Sequence, residues 1–508
     1  MAWLDSPAVQ LGFSLTFLWI IYRFLTKKKS KSDKRQLRLP PGPRPWPLVG
    51  NLHLLGSLPH QSMAELAKKY GPIMFLRLGS VPTIVASSPA IAKEIFKTHD
   101  LIFANRPPSS AAKYMAYERR DMVMAPYGEL WRQMRKLCTM ELLSAKRTES
   151  FRWVREEEAT AMVKYLRKES EKGTRSVDLR KPISSLTLNI ICRMFAGRSY
   201  SDNEPVEGAW FAKMVSELMH LAGVIVVGDF IPSIDFLDLG GHRRHMKRSH
   251  KEFDAFVEKL IDEHIEQRRT KKSENPDIVD VLLDMAENES SEIKVTRLHI
   301  KGLILDMLAG GVDTSAATIE WAMTELLRNP KLMARAQQEI ELKVGRDRMV
   351  NESDIANLDY LRCVVKETLR LHPAGPLLVP HESTEACTVG GYYIPPKTRL
   401  FVNIWAIGRD ESVWEDALEF KPKRFIGSSI DLKGHHFELL AFGTGRRGCP
   451  GMFMGLSVVS LVVAQLIHCF DWSVEGEVDL DEVFGLSLPR KFPLSALPSW
   501  KLTTEGPP

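Results

Sequence analysis

The sequence is poor in cysteine. Its 508 residues include six cysteines, and no two of them stand three positions apart, as the members of a CxxC pair do. So few cysteines over this length argue against a disulfide scaffold, and we expect most of the chain to lie in a reducing compartment. The 44% of hydrophobic and 26% of charged residues are typical of a globular protein.

Net charge is absent beyond residue 38. Residues 1–38 hold eight Lys or Arg and two Asp or Glu, which accounts for the whole formal charge of +6. Because the remaining residues are balanced, the main support for nucleic-acid binding is missing, and we predict no nucleic-acid partner. The basic N-terminal cluster suits the anionic cytoplasmic leaflet of a membrane.

One apolar run stands at the N-terminus, from Ala8 to Leu25. It is at the short end of the ~17–25 residues that a spanning helix needs. Lys27, Lys28 and Lys29 follow it, so the positive-inside rule keeps the downstream chain in the cytosol. A cleaved signal peptide would carry its charge before the apolar run. We therefore predict a single-pass transmembrane signal anchor over residues 1–26.

A proline-rich segment follows the anchor. Pro40-Pro41-Gly42-Pro43 opens a stretch that runs to Pro47 and is expected to be stiff and non-helical. We predict a basic and proline-rich hinge over residues 27–47. No later linker or repeat of similar strength follows, so residues 48–508 are predicted to form one large domain.

Residue periodicity predicts that this domain is mainly α with a small β-rich region, an α+β fold. Amphipathic helices are predicted over Val154–Lys168 and Lys251–Arg269. Ile73–Val85 has the alternation of a β-hairpin around Gly79-Ser80, and Val389–Asn403 is a second extended region.

A single cysteine follows a loop of glycines and arginines at Phe442–Gly451. The apolar run Met452–Ile467 comes next and is predicted to be a helix. A thiolate is the ligand form of cysteine, and cationic neighbours and a helix N-terminus lower its pKa. The glycines let the backbone approach a flat cofactor and point N–H groups at the sulfur. Cys449 is therefore a candidate metal ligand, and the alternative is a buried structural cysteine.

A second group of unusual residues interrupts a long helical pattern over Leu303–Asn329. Gly310 and Gly311 are adjacent in its middle, where each costs ~1 kcal/mol relative to alanine. This indicates close packing or a local widening of the helix. Asp313 and Thr314 follow as an acid beside an alcohol, and they are candidates for relaying protons to a bound small molecule. The alternative is a kink that packs tightly on a neighbouring helix.

A third motif places Glu367 and Arg370 three residues apart, so that they meet on one helix. Arg424, in the turn Phe420–Phe425, offers a second arginine. Surface pairs of this kind contribute little to stability. One carboxylate shared by two buried arginines would instead lock the core, since breaking it leaves a charge unpaired.

Together these motifs resemble the cytochrome P-450 family of haem-thiolate monooxygenases. The family motif Phe-x-x-Gly-x-Arg-x-Cys-x-Gly matches Phe442, Gly445, Arg447, Cys449 and Gly451. The central-helix, Glu-x-x-Arg and Trp-x-x-x-Arg motifs of the family match as well, at Gly310, Gly311, Asp313, Thr314, Glu367, Arg370, Arg424, Trp131 and Arg135. His381, after Val379-Pro380, resembles a further contact of a haem propionate.

The finer resemblance is to plant microsomal members of the A type. These carry a Pro-Pro-Gly-Pro hinge and stretches similar to Asn403–Asp410 and Gly445–Gly451. Ala441 stands where plant members usually have proline, and Lys423 where the turn usually has glutamate. Neither departure removes a ligand.

The resemblance implies the cytochrome P-450 fold behind an N-terminal anchor, with haem b as the cofactor. Cys449 would be the axial thiolate ligand, and Asp313 with Thr314 would deliver protons for dioxygen activation. The other residues implied in haem binding lie in the cysteine loop or near the propionates, and they are Phe442, Gly443, Gly445, Gly451, Arg447, Trp131, Arg135 and His381.

No flavin or nicotinamide motif is evident, so electrons must come from a partner. The resemblance implies a membrane-bound NADPH–cytochrome reductase, with cytochrome b5 as a further candidate donor. It also implies the endoplasmic reticulum membrane, a catalytic domain facing the cytosol, and a role in secondary metabolism.

By the same resemblance, five largely apolar segments line the substrate pocket: 115–124, 218–227, 303–310, 374–379 and 484–488. They favour an apolar substrate such as a terpenoid or a phenolic, for example a flavonoid. A monooxygenase is the favoured function. An isomerase or dehydratase needing no dioxygen, or a non-catalytic binding protein, are the alternatives, and the intact Asp313-Thr314 pair and Cys449 argue against them.

Overall fold

The computed structural model describes residues 38–173, 176–200, 205–270, 276–288 and 294–503. The predicted anchor at residues 1–26 and the start of the predicted hinge lie outside the described residues. The helices are α1 Pro59–Tyr70, α2 Pro89–Lys93, α3 Ser110–Tyr114, α4 Glu129–Leu137, α5 Ala145–Ser150, α6 Arg152–Glu171, α7 Arg180–Ala196, α8 Pro205–Gly223, α9 His242–Thr270, α10 Ile278–Glu287, α11 Arg297–Gly311, α12 Asp313–Arg328, α13 Pro330–Val344, α14 Asp359–Leu371, α15 Ile404–Ile407 and α16 Met452–Cys469.

Within the described residues the strands are short and form three small sheets. They are β1 Ile73–Leu78, β2 Val81–Ala86, β3 Val177–Asp178, β4 His381–Glu382, β5 Cys387–Val389, β6 Tyr392–Ile394, β7 Arg399–Val402, β8 Phe470–Ser473 and β9 Ser495–Trp500. The sheet orders are β1-β2-β7-β4, β3-β9-β8 and β5-β6. The prediction of a mainly helical domain with a small β-rich region is confirmed.

The predicted hairpin is present, because β1 pairs antiparallel with β2 from Ile73 opposite Ala86 to Leu78 opposite Val81. The end of the predicted hinge packs on this hairpin. The Phe75 N–H donates to the Pro41 carbonyl at 2.8 Å. A Cβ on Gly42 would lie 1.9 Å from the Phe75 carbonyl oxygen, so only glycine fits there. From Leu39 onward the described residues form one compact unit.

The helical run over Leu303–Asn329 is broken just after the glycine pair, where the sequence indicated close packing, a local widening or a kink. The structure has two helices, because α11 ends at Gly311 and α12 begins at Asp313. Val312 between them has ψ −72°, which turns the chain without leaving the right-handed region. Every residue of α12 from Ser315 to Leu326 is buried, so this helix runs through the core.

By length and apolar composition alone, two described segments could cross a membrane: 210–229 and Met452–Cys469. The second is α16, and each of its residues from Val458 to Cys469 is buried. A helix packed on all sides in this way belongs to the core of the domain. Neither segment lies in the N-terminal run where the anchor is predicted.

Candidate functional site

The cysteine loop is a tight turn that ends where α16 begins. Gly443 and Gly445 have φ values of +65° and +67°, in the left-handed region that favours glycine. The Cys449 N–H donates to the Phe442 carbonyl at 2.8 Å and closes the loop. The side chain of Cys449 is exposed, whereas Cys138, Cys192, Cys363 and Cys469 are buried. The cysteine that the sequence selects as a ligand is thus the most exposed of the six, since Cys387 is half-buried.

The electrostatics of Cys449 differ from the sequence expectation. The Gly451 N–H and the Arg135 guanidinium both act to lower its pKa, but burial outweighs them and the pKa of the thiol is raised. The exposed side chain therefore faces a space deep inside the protein. The loop arginines add little, because Arg446 points to Asp100 at 2.5 Å and Arg447 to backbone carbonyls. A metal cation would deprotonate the thiol directly.

Arg447 connects the cysteine loop to the segment before α4. It donates to the carbonyls of Ala104 at 2.7 Å, Met122 at 3.2 Å and Ala125 at 2.5 Å. Its guanidinium also lies over the Trp131 ring, 4.4 Å from the centroid. Burial and the neighbouring Arg135 and Arg119 cations lower the pKa of Arg447 to about 10. The predicted residues Trp131, Arg135 and Arg447 are therefore neighbours.

His381 joins the same group. Its Nδ1–H donates to the Phe103 carbonyl at 2.7 Å. Burial first, and then the Arg106 and Arg447 cations, hold the pKa of His381 well below its ordinary value. Burial and Arg447 also lower the pKa of Arg106 to about 9. The Arg106 and Arg447 guanidiniums are thus like charges held close together inside the protein, an arrangement that a nearby anionic group would stabilise.

The proton-relay candidates lie at the break between α11 and α12. The Thr314 hydroxyl donates to the Gly310 carbonyl at 2.6 Å. Burial raises the pKa of Asp313. A Cβ on Gly310 would meet nothing within 4 Å, whereas one on Gly311 would lie 2.5 Å from Ile191 Cδ1 on α7. A side chain at position 311 would therefore displace Ile191, whereas Gly310 faces open space.

Glu367 forms the buried lock that the sequence offered as one of two possibilities. Its side chain and that of Arg370 are fully buried, and they pair through two contacts of 2.7 Å. Arg424 Nε reaches the same carboxylate at 2.9 Å. Arg370 also donates to the carbonyls of Ala417 and Glu419. One carboxylate and two arginines thus hold α14 to the segment before the cysteine loop.

The profile of the family described as Cytochrome P450 matches residues 40–493. The chain belongs to the cytochrome P450 family. It is 48% identical to cytochrome P450 750A1 of Pinus taeda, over 98% of this chain and 97% of that protein. It is 42% identical to a flavonoid 3'-monooxygenase of Arabidopsis thaliana, over 96% of each chain. A zebrafish cytochrome P450 structure with progesterone superposes with a TM-score of 0.75 at 26% identity, covering 87% of this chain and 99% of that one.

Membership of this family establishes the cofactor and the type of reaction. The family and the fold imply haem with a cysteine thiolate ligand, and the protein is a cytochrome P450 monooxygenase. Such enzymes act on a small molecule and receive electrons from a reductase. A third relative, the strychnine-11-hydroxylase of Strychnos nux-vomica, is 41% identical over 96% of this chain and 97% of that protein. The relatives therefore support a cytochrome P450 of specialised metabolism.

Several of the segments expected to line the P450 pocket touch one another. The Met122 N–H donates to Asp306 Oδ2 at 2.7 Å, which joins the 115–124 segment to α11. Gly223, at the end of α8, lies so close to the turn 484–488 that a Cβ would be 2.4 Å from the Leu486 nitrogen. The Trp321 indole on α12 donates to the Leu488 carbonyl at 2.9 Å.

Sequence reasoning missed three polar residues of this P450 site. Arg106 donates to the carbonyls of Val379 and Pro380 and so fixes the approach to His381. Arg106 belongs to none of the motifs, and the only unusual feature of its sequence context is that two prolines follow it. Asp306 lies in segment 303–310 and Asp121 in segment 115–124, and both segments were predicted to be largely apolar pocket lining. A lone acid in an apolar helical run was the available signal for Asp306.

Proposed function

We propose that this protein is a microsomal monooxygenase that hydroxylates an apolar ring compound of plant secondary metabolism. A phenolic, such as a flavonoid, is the favoured class, because flavonoid 3'-monooxygenases recur among its relatives at 42–44% identity. A terpenoid is the second candidate. The buried apolar residues of the proposed pocket segments include Met115, Met122, Leu218, Leu303, Met307, Leu377 and Leu488.

The observation that carries the proposal is the exposed thiol of Cys449 just before α16, with the half-buried Arg135 cation near it. Haem b, held through the Cys449 thiolate, supplies the activation of dioxygen and the transfer of one oxygen atom to the substrate. In this proposal Phe442, Gly443, Gly445 and Gly451 shape the loop that presents the thiolate. Their glycines keep side-chain bulk away from the sulfur.

The remaining haem contacts are assigned by charge. Arg135, Arg447 and His381 would hold the propionates, with Trp131 packed under the Arg447 guanidinium. His381 Nδ1 already donates to a carbonyl, so a second donation from Nε2 requires the protonated ring. A propionate beside it would favour that proton.

Asp313 and Thr314 are the proposed catalytic residues. Thr314 carries a hydroxyl on the helix face that also bears Gly310, which faces open space. Asp313 holds a carboxyl whose pKa is raised by burial, so it binds and releases a proton nearer to neutral pH. An isomerase or dehydratase has no need of such a relay, which is why the monooxygenase is preferred.

The cellular setting is proposed from the sequence. Residues 1–26 would be the single transmembrane anchor, 27–47 the hinge and 48–508 the catalytic domain. The domain would face the cytosol at the endoplasmic reticulum, where the NADPH–cytochrome reductase supplies electrons. Cytochrome b5 is proposed as an accessory donor.

The test uses microsomes that hold the full chain and a plant reductase. They are incubated with panels of flavonoids, phenylpropanoids and diterpenes, and products are sought that gain the mass of one oxygen atom. The proposal expects a product only when both NADPH and dioxygen are supplied. A product that forms without either would establish the alternative instead: an isomerase if its mass is unchanged, a dehydratase if it has lost the mass of one water.

A further inference from the structure

Two buried carboxyl groups meet beside the proposed pocket. Asp121 is 2% exposed and Asp306 is 9% exposed. Asp121 lies at the start of the 121–125 loop, defined here as residues 121–125, and Asp306 lies on α11. The two groups are within hydrogen-bonding reach of each other. A Cβ on Gly302 would lie 3.3 Å from Asp121 Cα, so the loop packs directly on the helix.

Each carboxyl group also accepts a backbone N–H of the loop. Asp306 Oδ2 accepts from Met122 at 2.7 Å, and Asp121 Oδ2 accepts from Met124 at 3.0 Å. Asp121 Oδ1 is buried, and no N–H or O–H group of the described residues donates a hydrogen bond to it. A proton on Asp306 would supply that donor. Two unprotonated carboxylates at this separation would instead repel each other at a buried site.

Arginine cations lie on the Asp121 side of the pair. The Arg447 cation acts on Asp121, and Asp121 in turn acts on the Arg106 cation. Arg119 lies near Arg447, and the Cys138 thiol lies near Asp306. Burial is the largest influence on both acids and raises the pKa of each, that of Asp306 well above its ordinary value.

We propose that Asp121 and Asp306 share one proton and so fasten the 121–125 loop to α11, which fixes one wall of the substrate pocket. The two residues are positioning residues, since they act through the loop. The inference rests on the proposed function, in which segments 115–124 and 303–310 line the pocket.

The direction of the pH effect follows from the charge. The folded pair binds its proton more tightly than the unfolded chain does, because both pKa values are raised. Its stabilising effect is therefore complete below the unfolded value of about 4, and it is lost as the pH rises through the folded value. At high pH two carboxylates remain, and the loop is released from α11.

The test measures amide hydrogen exchange of the loop in the purified, haem-loaded full chain without substrate. Protection of the Met122–Ala125 amides, corrected for intrinsic exchange, is followed from about pH 6 to about pH 9. If the loop is held by one shared proton, protection should fall by on the order of tenfold per pH unit above the transition. Peptides of the β1–β2 hairpin serve as the internal control, because that hairpin is held by a backbone ladder from Ile73 opposite Ala86 to Leu78 opposite Val81.

Asp306→Asn separates the shared proton from simple packing. Its amide oxygen accepts from Met122, and its NH₂ donates to Asp121 at any pH. We expect loop protection in this variant to stay at the low-pH level throughout, whereas Asp306→Ala loses it throughout. The inference is overturned if Asp306→Asn keeps the pH dependence of the wild type, or if the wild type has none.

The reduced carbon monoxide spectrum is recorded on the same samples. A thiolate-type band in all of them, together with no difference between wild type and Asp306→Asn, rejects the carboxyl pair and leaves the proposed function intact. Loss of the band in the wild type itself rejects the proposed function.

Discussion

Thr314 takes its position from the break between α11 and α12. Its hydroxyl donates to the Gly310 carbonyl four residues earlier, as the hydroxyl of Thr318 does to the Thr314 carbonyl at 2.8 Å. The two threonines thus make the same local bond on successive turns. They differ in burial, since Thr318 is 4% exposed and packed in the core.

We predict that Thr314→Ala uncouples electron use from product formation. Alanine is a good helix former, so the fold and the haem content should survive. Product per NADPH should fall by about tenfold or more, since a positioned proton donor contributes about 10²–10⁴ to a rate. The lost electrons should appear as hydrogen peroxide, measured beside NADPH consumption.

Thr318→Ala is the matched control, because it removes an equivalent hydroxyl one turn away. It should leave the ratio of product to NADPH near the wild-type value. An unchanged ratio of product to NADPH in Thr314→Ala would show that the hydroxyl does not relay protons and serves only to stabilise the helix break.

At the scale of elements, the glycine pair has two separate functions. The sequence indicated either close packing or a local widening of the helix at the glycine pair, and it did not show which glycine has which role. The structure assigns the close packing to Gly311, whose Cβ position is occupied by Ile191 of α7, and the open space to Gly310. The partner of Gly311 lies 120 positions away in the chain, so no local pattern could have named it.

Gly311→Ala should destabilise the domain by about 1–3 kcal/mol, as overpacking of a filled core does. Gly310→Ala, which meets nothing within 4 Å, should not destabilise it. Thermal unfolding of the two variants compares adjacent positions on one helix. Adding Ile191→Val, which removes the Cδ1 atom, should recover part of the loss in Gly311→Ala. No recovery would mean that this contact is not the cause.

The lock between α14 and the Arg424 turn is the second element-scale feature. Glu367→Ala leaves Arg370 buried without its carboxylate, at an expected cost of ~3–5 kcal/mol. Little haem-loaded protein should accumulate, as measured by the carbon monoxide spectrum per unit of chain.

The exposed pair Glu65 and Lys68 is a suitable control, since it has the same i,i+3 spacing and a 2.7 Å contact, with side chains 70% and 73% exposed. Lys68→Ala should leave the yield unchanged. Equal yields of Glu367→Ala and wild type would contradict the account of the lock.

Helices and the hairpin could be predicted because their periodicity is local, as at Ile73–Val85. The cysteine loop was likewise readable, since its glycines, arginines and cysteine are contiguous. The raised pKa of Cys449 and the carboxyl pair of Asp121 and Asp306 could not be predicted from the sequence, because each depends on burial by distant segments. Charge in the sequence does not reveal which way Arg446 and Arg447 point.

At the scale of the whole molecule, the orientation across the membrane is open to a direct test. Asn351 begins an Asn-Glu-Ser sequence, and its side chain is exposed. A lumenal domain would offer it to the glycosylation machinery. The charge flank of the predicted anchor places it in the cytosol, so microsomal protein should show no mobility shift after glycosidase treatment.

A shift would reverse the proposed topology. Asn351→Gln then serves as the control, because it removes the acceptor on an exposed surface. If the shift disappears with this variant, the modified site is Asn351 and the catalytic domain faces the lumen.

The central claim is that Cys449 holds the haem iron through its thiolate. The direct measurement is the reduced carbon monoxide spectrum of Cys449→Ser beside Cys387→Ser, a half-buried cysteine on β5. The account predicts that the band of thiolate-ligated haem is lost in Cys449→Ser and kept in Cys387→Ser, with both proteins folded by circular dichroism. A thiolate-type band that persists in folded Cys449→Ser would contradict it.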